Sequence, residues 1–238
     1  MKIFGNISLI DLAIYTHNHL IVTDFHIGYE EALNKQGLLV PRFQFEEIIK
    51  RMESLFSELK GKKIERIIIN GDLKHEFGAI SQQEWRHTLK LLDYLGKHCS
   101  EIILIKGNHD TILGAIAKKR NIKVLEHYIV KNRILVMHGN LTPPKELLKD
   151  ISTIIIGHDH PAVLIREGVR AELFKAYLTG KWKGKNLIAQ PSFNLVTEGT
   201  DVLKEEVLSP FLKDNLSNFE AIIVADKLYN FGSLKNLL

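Results

Sequence analysis

Apolar residues in the first half of the chain form short continuous runs that alternate with stretches of helical spacing. The runs at residues 20–24, 64–70 and 101–105 are typical of buried strands. Residues 41–60 carry apolar side chains at steps of three and four and are followed by Gly61, which predicts a helix with one buried face. Ser81 and Glu84 have the spacing of a capping box and predict a second helix over residues 81–95. This β-α-β-α-β order indicates a sheet with helices packed outside it.

The second half of the chain has a different pattern. Its apolar runs lie at residues 128–137, interrupted by the polar residues 131–133, and at residues 151–156, 187–190 and 221–225. They predict a second, partly antiparallel sheet. No repeat, proline-rich linker or low-complexity segment divides the two halves, and 238 residues with 45% hydrophobic residues are enough for one core. We therefore expect one domain spanning residues 1–238.

Charge and cysteine content narrow the class of protein. The formal net charge of +4 is mild, so it allows anionic partners without demanding them. Cys99 is the only cysteine, which excludes a disulfide within the chain and a metal site built from several thiolates. No apolar run approaches the ~20 residues that a membrane-spanning helix needs. These features predict a cytoplasmic protein without a membrane segment, and they indicate no particular oligomeric state.

Side chains that can bind metal stand in five short segments at the ends of the predicted strands. The segments are Asp24-Phe25-His26, Gly71-Asp72, Gly107-Asn108-His109-Asp110, His138-Gly139 and Gly157-His158-Asp159-His160. A single segment of this kind is usually a turn, but five in succession predict a metal site. In extended chain, residues two apart project to the same side, so Asp24 and His26 should converge on one point. His158 and His160 should do the same.

The residues between these pairs, and the glycines beside them, lead to further expectations. Phe25 and Asp159 should face away from the site, with Asp159 either in solvent or behind the ligands rather than among them. Four of the five segments place a glycine next to a candidate ligand, which favours sharp turns and close backbone approach. These glycines are Gly71, Gly107, Gly139 and Gly157.

The order D-x-H, G-D, G-N-H-D, H-G, G-H-x-H over residues 24–160 resembles the calcineurin-like metallophosphoesterases. Residues 24–31 with Gly37 and Pro41, residues 71–75 and residues 191–194 are similar to the archaeal SbcD-related phosphoesterases and the bacterial PdeM group. The resemblance implies an α/β fold, a four-layer αββα sandwich of two mixed β-sheets flanked by helices. It also implies a site for two metals at the carboxyl-terminal edge of the strands.

The resemblance further implies a role for each candidate residue. One metal would be held by Asp24, His26, Asp72 and His160, and the other by Asp72, Asn108, His138 and His158, with Asp72 bridging. Histidine and oxygen ligands without thiolate suit manganese, with iron, zinc, nickel or cobalt as alternatives, better than magnesium. Two ions roughly 3.5–4 Å apart can activate a shared water for attack on phosphorus.

Three residues near the ligands have roles outside metal binding. His109 follows a ligand and is the candidate general acid that protonates the leaving group. Asp110 would orient and charge His109, or cap the predicted helix over residues 111–119, and both roles are compatible. His75 either contacts substrate or is a loop histidine bonded to the backbone.

The function expected from these residues is hydrolysis of a phosphodiester, in nucleic acid or in a nucleotide. The alternatives are a phosphodiesterase for small nucleotides unrelated to DNA, and a protein of the same fold that binds nucleic acid or a partner without catalysis. The presence of His109 together with all seven candidate ligands favours an enzyme. The basic segment at residues 181–185, which contains Trp182, could bind phosphates and stack a base, or form a tight exposed turn.

Overall fold

The computed structural model describes residues 1–76, 78, 80–110, 113–131 and 133–237. Over these residues the chain forms two mixed β-sheets flanked by four α-helices, as the sequence predicts. The α-helices are α1 (Tyr29–Lys35), α2 (Gln44–Glu58), α3 (Gln82–Leu95) and α4 (Leu113–Lys119), and 3-10 helices cover Lys145–Leu148 and Leu234–Asn236. No helix in this described part of the chain has the length and apolarity needed to cross a membrane.

The first sheet contains seven strands in chain order. They are β1 (Lys2–Ile3), β2 (Ile7–Ile10), β3 (Ala13–Thr16), β4 (His19–Val22), β5 (Arg66–Asn70), β6 (Glu101–Ile105) and β7 (Lys123–Leu125). Strands β1 to β4 are antiparallel, and β4 to β7 are parallel. The predicted strands at β4, β5 and β6 are confirmed, although β4 ends two residues before Asp24 and leaves it in a loop.

The second sheet contains nine strands in the order β14-β11-β12-β13-β10-β9-β8, with β15 joining β12 to β16. They are β8 (His127–Val130), β9 (Ile134–Met137), β10 (Thr153–Ile156), β11 (Pro161–Glu167), β12 (Arg170–Trp182), β13 (Lys185–Ala189), β14 (Thr200–Asp201), β15 (Glu220–Val224) and β16 (Leu228–Ser233). Strands β9, β10 and β13 run parallel, whereas β8, β12, β15 and β16 pair antiparallel with their neighbours. The predicted mixture of directions is therefore confirmed.

Strands of the second sheet contribute alternate residues to two apolar clusters. Ile155 packs in the cluster that contains α2, α3, α4 and the first sheet, while Ile154 and Ile156 pack on the opposite face. Tyr177 likewise packs in the cluster with the first sheet, while its neighbours Ala176 and Leu178 pack on the opposite face. This period of two follows from the strand pleat. The outer face is completed by side chains of loops and 3-10 helices, among them Phe211, Leu212 and Leu234.

Side chains accept hydrogen bonds from N–H groups in the first turns of α2 and α3. At α3 the Ser81 hydroxyl accepts a hydrogen bond of 3.0 Å from the Glu84 backbone N–H, which confirms the predicted helix start. Helix α2 begins at Gln44 rather than at residue 41, and the Gln44 N–H donates to Glu30 Oε2 over 2.9 Å. Helix α4 covers most of the predicted helix over residues 111–119, of which residues 111 and 112 lie outside the described part of the chain.

Candidate metal centre

The five predicted segments meet at one edge of the two sheets. Each directly follows the carboxyl end of a strand: β4, β5 and β6 in the first sheet, and β9 and β10 in the second. Because β4 to β6 are parallel, and β9 is parallel to β10, their carboxyl ends lie at the same edge. Three groups of metal-capable side chains form there. Two of them contain residues from both sheets and are described first, and the third, His26 with His75 and His109, comes from the first sheet alone.

The first group consists of Asp24, His26 and His160, whose ligand atoms lie within 4.8 Å of one another. His26 Nε2 is 3.1 Å from His160 Nε2, and Asp24 Oδ1 is 3.7 Å from the same His160 nitrogen. Asp24 and His26 are buried, while His160 is partly exposed. Three lone pairs can therefore meet at one point that substrate or solvent reaches from the His160 side.

The second group consists of Asp72, His138 and His158, again within 4.8 Å. His138 Nε2 lies 3.2 Å from His158 Nδ1 and 3.4 Å from Asp72 Oδ2. Asn108 Oδ1 lies 3.0 Å from the same His138 nitrogen, so the amide oxygen adjoins this group. Carboxylate, imidazole and amide atoms thus surround a second point.

Asp72 lies between the two groups. Its Oδ2 atom is 3.4 Å from His138 Nε2 and 3.7 Å from His26 Nε2. The other oxygen, Oδ1, accepts a hydrogen bond of 2.9 Å from the His109 backbone N–H, which fixes the rotation of the carboxylate. One oxygen of Asp72 is therefore directed at both groups.

The backbone conformation that brings these side chains together differs from the expected one. The residues Asp24, His26, Asp72, His158 and His160 have positive φ angles of 43° to 75°. They are therefore in left-handed rather than extended backbone, a conformation that costs about 1–3 kcal/mol for each non-glycine residue. The prediction that His158 and His160 converge on one point is wrong, since they belong to different groups. Left-handed turns rotate successive side chains differently from a pleated strand.

Glycines leave room for the ligands, as predicted. Gly71 has a φ of +86°, and a Cβ atom on it would overlap the His138 ring. A Cβ atom on Gly157 would overlap the side chains of Thr23 and Asp24. Any side chain at either position would displace a member of the two groups.

Asp24 and Asp72 are buried carboxylates that remain charged. Burial raises the pKa of Asp24, but the neighbouring His160 and His138 outweigh it and lower the pKa. For Asp72, burial is likewise outweighed by the hydrogen bond and charge of His138, and the pKa falls well below its usual range. Asp24 Oδ2 accepts hydrogen bonds from the Thr23 hydroxyl and the His158 N–H, at 2.7 and 3.1 Å. Asp24 Oδ1 is buried without a hydrogen-bond partner in the described residues, which fits a site for a cation.

The buried histidines of the two groups differ in their charge environment. Burial favours neutral His138, but the hydrogen bond to Asp72 and the charges of Asp24 and Asp72 raise its pKa to about 9. Burial, followed by the nearby His160, lowers the pKa of His26 well below its ordinary value. The centre therefore combines negatively charged carboxylates with buried imidazoles whose positive charges would repel one another, as expected of residues that hold cations.

His109 lies beside the two groups with its ring fixed. Its Nδ1 is 2.6 Å from the His75 carbonyl oxygen, and its Nε2 is 4.0 Å from Asp72 Oδ2. Asp110 Oδ2 accepts a hydrogen bond of 3.0 Å from the Gly107 N–H, and the expected orientation of His109 by Asp110 stays a prediction. Burial and the charge of Asp72 raise the pKa of Asp110 to about 6. Whether Asp110 caps the predicted helix stays a prediction, because residues 111 and 112 of its first turn lie outside the described residues.

His75 also reaches the centre. Its Nδ1 lies 3.4 Å from His26 Nδ1, and its ring packs on Tyr29 with centroids 4.3 Å apart. Burial and the nearby His109 lower the pKa of His75 to about 4. The His75 ring is therefore at the site and its backbone takes part in the loop hydrogen bonds, while its contact with substrate stays a prediction.

The residues expected to face away from the site do so. Phe25 is fully buried and packs on Phe193 with ring centroids 4.9 Å apart. Asp159 is buried behind the ligands, where its carboxylate accepts from the backbone N–H groups of Leu208 and Ser209. It holds a neighbouring segment, which is a more specific role than a carboxylate in solvent.

The basic segment at residues 181–185 is a tight turn. Lys183 and Gly184 form the turn between β12 and β13, and both have positive φ angles. Trp182 is buried against Phe211, with ring centroids 4.5 Å apart, so it cannot stack a base. Of the two interpretations of this segment, the structure supports the turn.

Sequence reasoning missed several buried polar residues that support the site. Gln44 Nε2 donates to the His26 carbonyl oxygen over 2.9 Å. Lys74 and Glu84 are fully or almost fully buried and bond to the backbone around His75 and His109. No local pattern distinguishes such residues from surface charges. Lys74 lies within residues 71–75, which are similar to the SbcD-related phosphoesterases. Because lysine is rarely buried, the sequence gives no reason to expect that this side chain supports the site.

The family model of the calcineurin-like phosphoesterases matches residues 17–215. The chain therefore belongs to this family of dinuclear metal enzymes, and it is a hydrolase acting on phosphate esters. The predicted family is confirmed, while the particular branch stays a prediction. A search of curated protein sequences found no significant match.

The chain is similar to several solved structures, of which the first named here shares the fold. The nuclease MPE of Pseudomonas putida is 19% identical, with 97% of this chain and 98% of that chain covered and a TM-score of 0.68. The phosphoesterase Yfce of E. coli is 13% identical over 86% and 87% of the two chains, with a TM-score of 0.43. Wild-type Vps29 of Entamoeba histolytica complexed with zinc is 17% identical over 90% and 98%, with a TM-score of 0.38.

Proposed function

We propose that the chain is a metal-dependent phosphodiesterase that cleaves nucleic acid. The observation that carries this proposal is the position of Asp72 Oδ2, 3.7 Å from His26 Nε2 in one group and 3.4 Å from His138 Nε2 in the other. A single carboxylate oxygen between two clusters of ligand atoms suits a pair of adjacent cations. The fold shared with the nuclease MPE supports nucleic acid as the substrate class.

The proposed ligands divide into two sets that share Asp72. One ion would be held by Asp24, His26, Asp72 and His160, and the other by Asp72, Asn108, His138 and His158. Imidazole and oxygen atoms without thiolate favour manganese, with iron, zinc, nickel or cobalt as alternatives. Two divalent ions bound there would lower the pKa of a water molecule and stabilise negative charge on the phosphoryl oxygens.

The chain's own residues bind the phosphate and supply a proton. We propose His109 as the general acid, because its Nδ1 is engaged by the His75 carbonyl oxygen and its Nε2 is directed to the Asp72 side of the site. A proton on Nε2 can pass to the departing alkoxide oxygen. His75, whose ring lies beside His26, is proposed to contact the substrate phosphate. Asp110, which is buried and follows His109 in the chain, is proposed to orient the ring.

A substrate and metal panel tests this function. The protein is stripped with a chelator, reloaded with manganese or one of the other four ions, and assayed on single- and double-stranded DNA, RNA, small nucleotide diesters, nitrophenyl diesters and monoesters. We expect activity to vanish on stripping, to return with metal, and to be higher on nucleic acid than on monoesters. Full activity without metal overturns the metal-dependent mechanism. If hydrolysis is restricted to small nucleotide diesters, these compounds rather than nucleic acid are the substrate class.

A further inference from the structure

Two buried side chains of opposite charge hold the loop that follows Asp72. Lys74 is 0% exposed and Glu84 is 1% exposed. Burying either charge is unfavourable unless the charged group is hydrogen-bonded. The hydrogen bonds of Lys74 and Glu84 therefore indicate which part of the structure their burial stabilises. Glu84 bonds to the backbone of residues 75 and 76, and Lys74 bonds to the backbone of Glu76 and His109, rather than to the side chain of any proposed metal ligand.

Glu84 accepts from two successive backbone N–H groups of the loop. Its Oε1 lies 2.9 Å from the His75 nitrogen and 3.0 Å from the Glu76 nitrogen. Glu84 itself is held in the first turn of α3, where its N–H donates to the Ser81 hydroxyl. A rigid helix end therefore fixes the peptide groups on either side of the His75 Cα atom, and the second of them carries the His75 carbonyl.

Lys74 connects the same loop to the backbone of His109. Its Nζ donates to the Glu76 carbonyl oxygen and, over 2.5 Å, to the His109 carbonyl oxygen. The His109 N–H donates in turn to Asp72 Oδ1 over 2.9 Å. Both the N–H and the carbonyl of His109 are thus anchored, one to a proposed ligand and one to Lys74.

The His109 ring depends on this loop for its tautomer. A backbone carbonyl only accepts hydrogen bonds, so the 2.6 Å contact between His109 Nδ1 and the His75 oxygen requires the proton on Nδ1. In the neutral ring, Nε2 then carries the lone pair and lies on the side of the centre that holds Asp72 Oδ2, 4.0 Å away. A shift of the His75 carbonyl would remove the preference of the His109 ring for the Nδ1–H tautomer.

We propose that Lys74 and Glu84 are positioning residues, which hold the His75 carbonyl so that it fixes the tautomer and orientation of the His109 ring. The catalytic meaning of this inference rests on the proposed function, in which His109 is the general acid. The placement of the ring can be tested without any assay of catalysis.

The first test reads the ring by nitrogen NMR in the zinc-loaded protein, with the His109 signals assigned from a His109→Ala spectrum. Wild type is expected to show the Nδ1–H tautomer. Glu84→Leu and, as a second variant in case the first does not fold, Lys74→Met should show a mixture of tautomers. Glu84→Gln should restore the wild-type signals, because its amide oxygen can accept from the same two N–H groups. Thr88→Val, one turn along α3, is the matched control for loss of a buried hydrogen bond.

The second test compares leaving groups. Glu84→Leu is expected to lose about 10- to 100-fold in turnover on substrates with an alkoxide leaving group and less than ~3-fold on a nitrophenyl diester. Metal content should stay unchanged, and Thr88→Val should match wild type on both substrates. A merely structural defect would lower both rates together.

The outcomes separate this inference from the proposed function. A folded Glu84→Leu or Lys74→Met protein that keeps the wild-type His109 tautomer overturns the inference, whatever its activity. Equal losses on both leaving groups with the metal retained also overturn it. If wild type cleaves no phosphodiester with any metal, the proposed function fails, while the NMR comparison still decides whether Lys74 and Glu84 position the ring.

Discussion

The proposed metal ligands and the surroundings of His109 are built in different ways. The ligands stand on left-handed turns at strand ends, and each group takes side chains from both sheets. His109 is instead held by hydrogen bonds from residues 72–76, a loop fixed by the buried charges of Lys74 and Glu84. The proposed metal binding and proton delivery therefore rest on different supports apart from Asp72, which is a proposed ligand and also accepts from the His109 N–H. Substitutions should therefore damage one of them without the other.

Replacement of Asp72 should have the largest effect. Asp72→Ala removes an oxygen directed at both groups and leaves the two proposed ions without shared negative charge. We expect loss of at least one bound metal and a fall in kcat/KM of about 10³-fold or more, since several kcal/mol of transition-state stabilisation are at stake. Metal analysis and steady-state kinetics check this. The control is Asp93→Ala, which removes an exposed carboxylate paired with Arg120. Two tightly bound ions in Asp72→Ala would contradict the bridging assignment.

Replacement of His109 should separate the two supports most clearly. His109→Ala should keep both metals yet lose roughly 10²–10⁴-fold in kcat on substrates with poor leaving groups. The loss should shrink for nitrophenyl esters, because a nitrophenolate departs without needing a proton. Kinetics on both substrate types and metal analysis provide the measurement.

Two results would contradict the assignment of His109 to proton delivery rather than to metal binding. Equal losses on both leaving groups would mean that the residue positions the phosphate rather than protonating the product. A drop in metal content would place His109 among the ligands, which the proximity of His26, His75 and His109 makes a defined alternative to measure.

Gly71→Ala should affect the metal side alone. The substitution combines a φ of +86° with overlap of the His138 ring, whereas Gly61→Ala meets no atom within 4 Å at a nearly identical φ of +85°. Both variants should lose about 1–2 kcal/mol of unfolding free energy from the left-handed backbone. Only Gly71→Ala should lose metal at the His138 group and at least ~10-fold in activity. Equal behaviour of the two variants in metal analysis would show that Gly71 serves only the turn.

Lys183→Ala should have the smallest effect. Lys183 lies in the turn between β12 and β13, and its Nζ is 4.4 Å from the centroid of the Trp182 ring. Removal of a surface charge away from both supports should change DNA cleavage by less than about 2-fold. The measurement is kcat/KM on DNA and on a nitrophenyl diester. A loss of activity on DNA alone would assign the turn to nucleic-acid contact after all.

The central strands β4, β5 and β6 of the first sheet were predictable because they are buried on both faces, whereas β1, β2, β3 and β7 were not predicted. Strands β5 and β6 are continuous apolar runs that the sequence reveals directly. Strand β12 was not predicted, since charged and exposed residues occupy its first half. Its first six residues pair with β11 and its later residues with β13 and β15, so only the tertiary arrangement makes it one strand.

The candidate site was predictable for a different reason. Its ligands are few, chemically distinctive and adjacent to strand ends, so the local sequence reveals them. The support of His109 was not, because Glu84 reads as an ordinary helix residue and Lys74 as a surface charge. Their burial depends on contacts between residues close in space but not marked by any local pattern, such as Glu84 with His75.

The contribution of both sheets to each group has a consequence for stability. Asp24 and His26 come from the first sheet and His160 from the second, while Asp72 meets His138 and His158 across the same boundary. A cation held by such a set cross-links the two sheets and has no comparable site in the unfolded chain. Its binding free energy therefore adds to folding, by about 2.7 kcal/mol when free metal is 100 times the dissociation constant. The melting temperature should rise with metal concentration, and separation of the sheets should release the ions and abolish the site in one step.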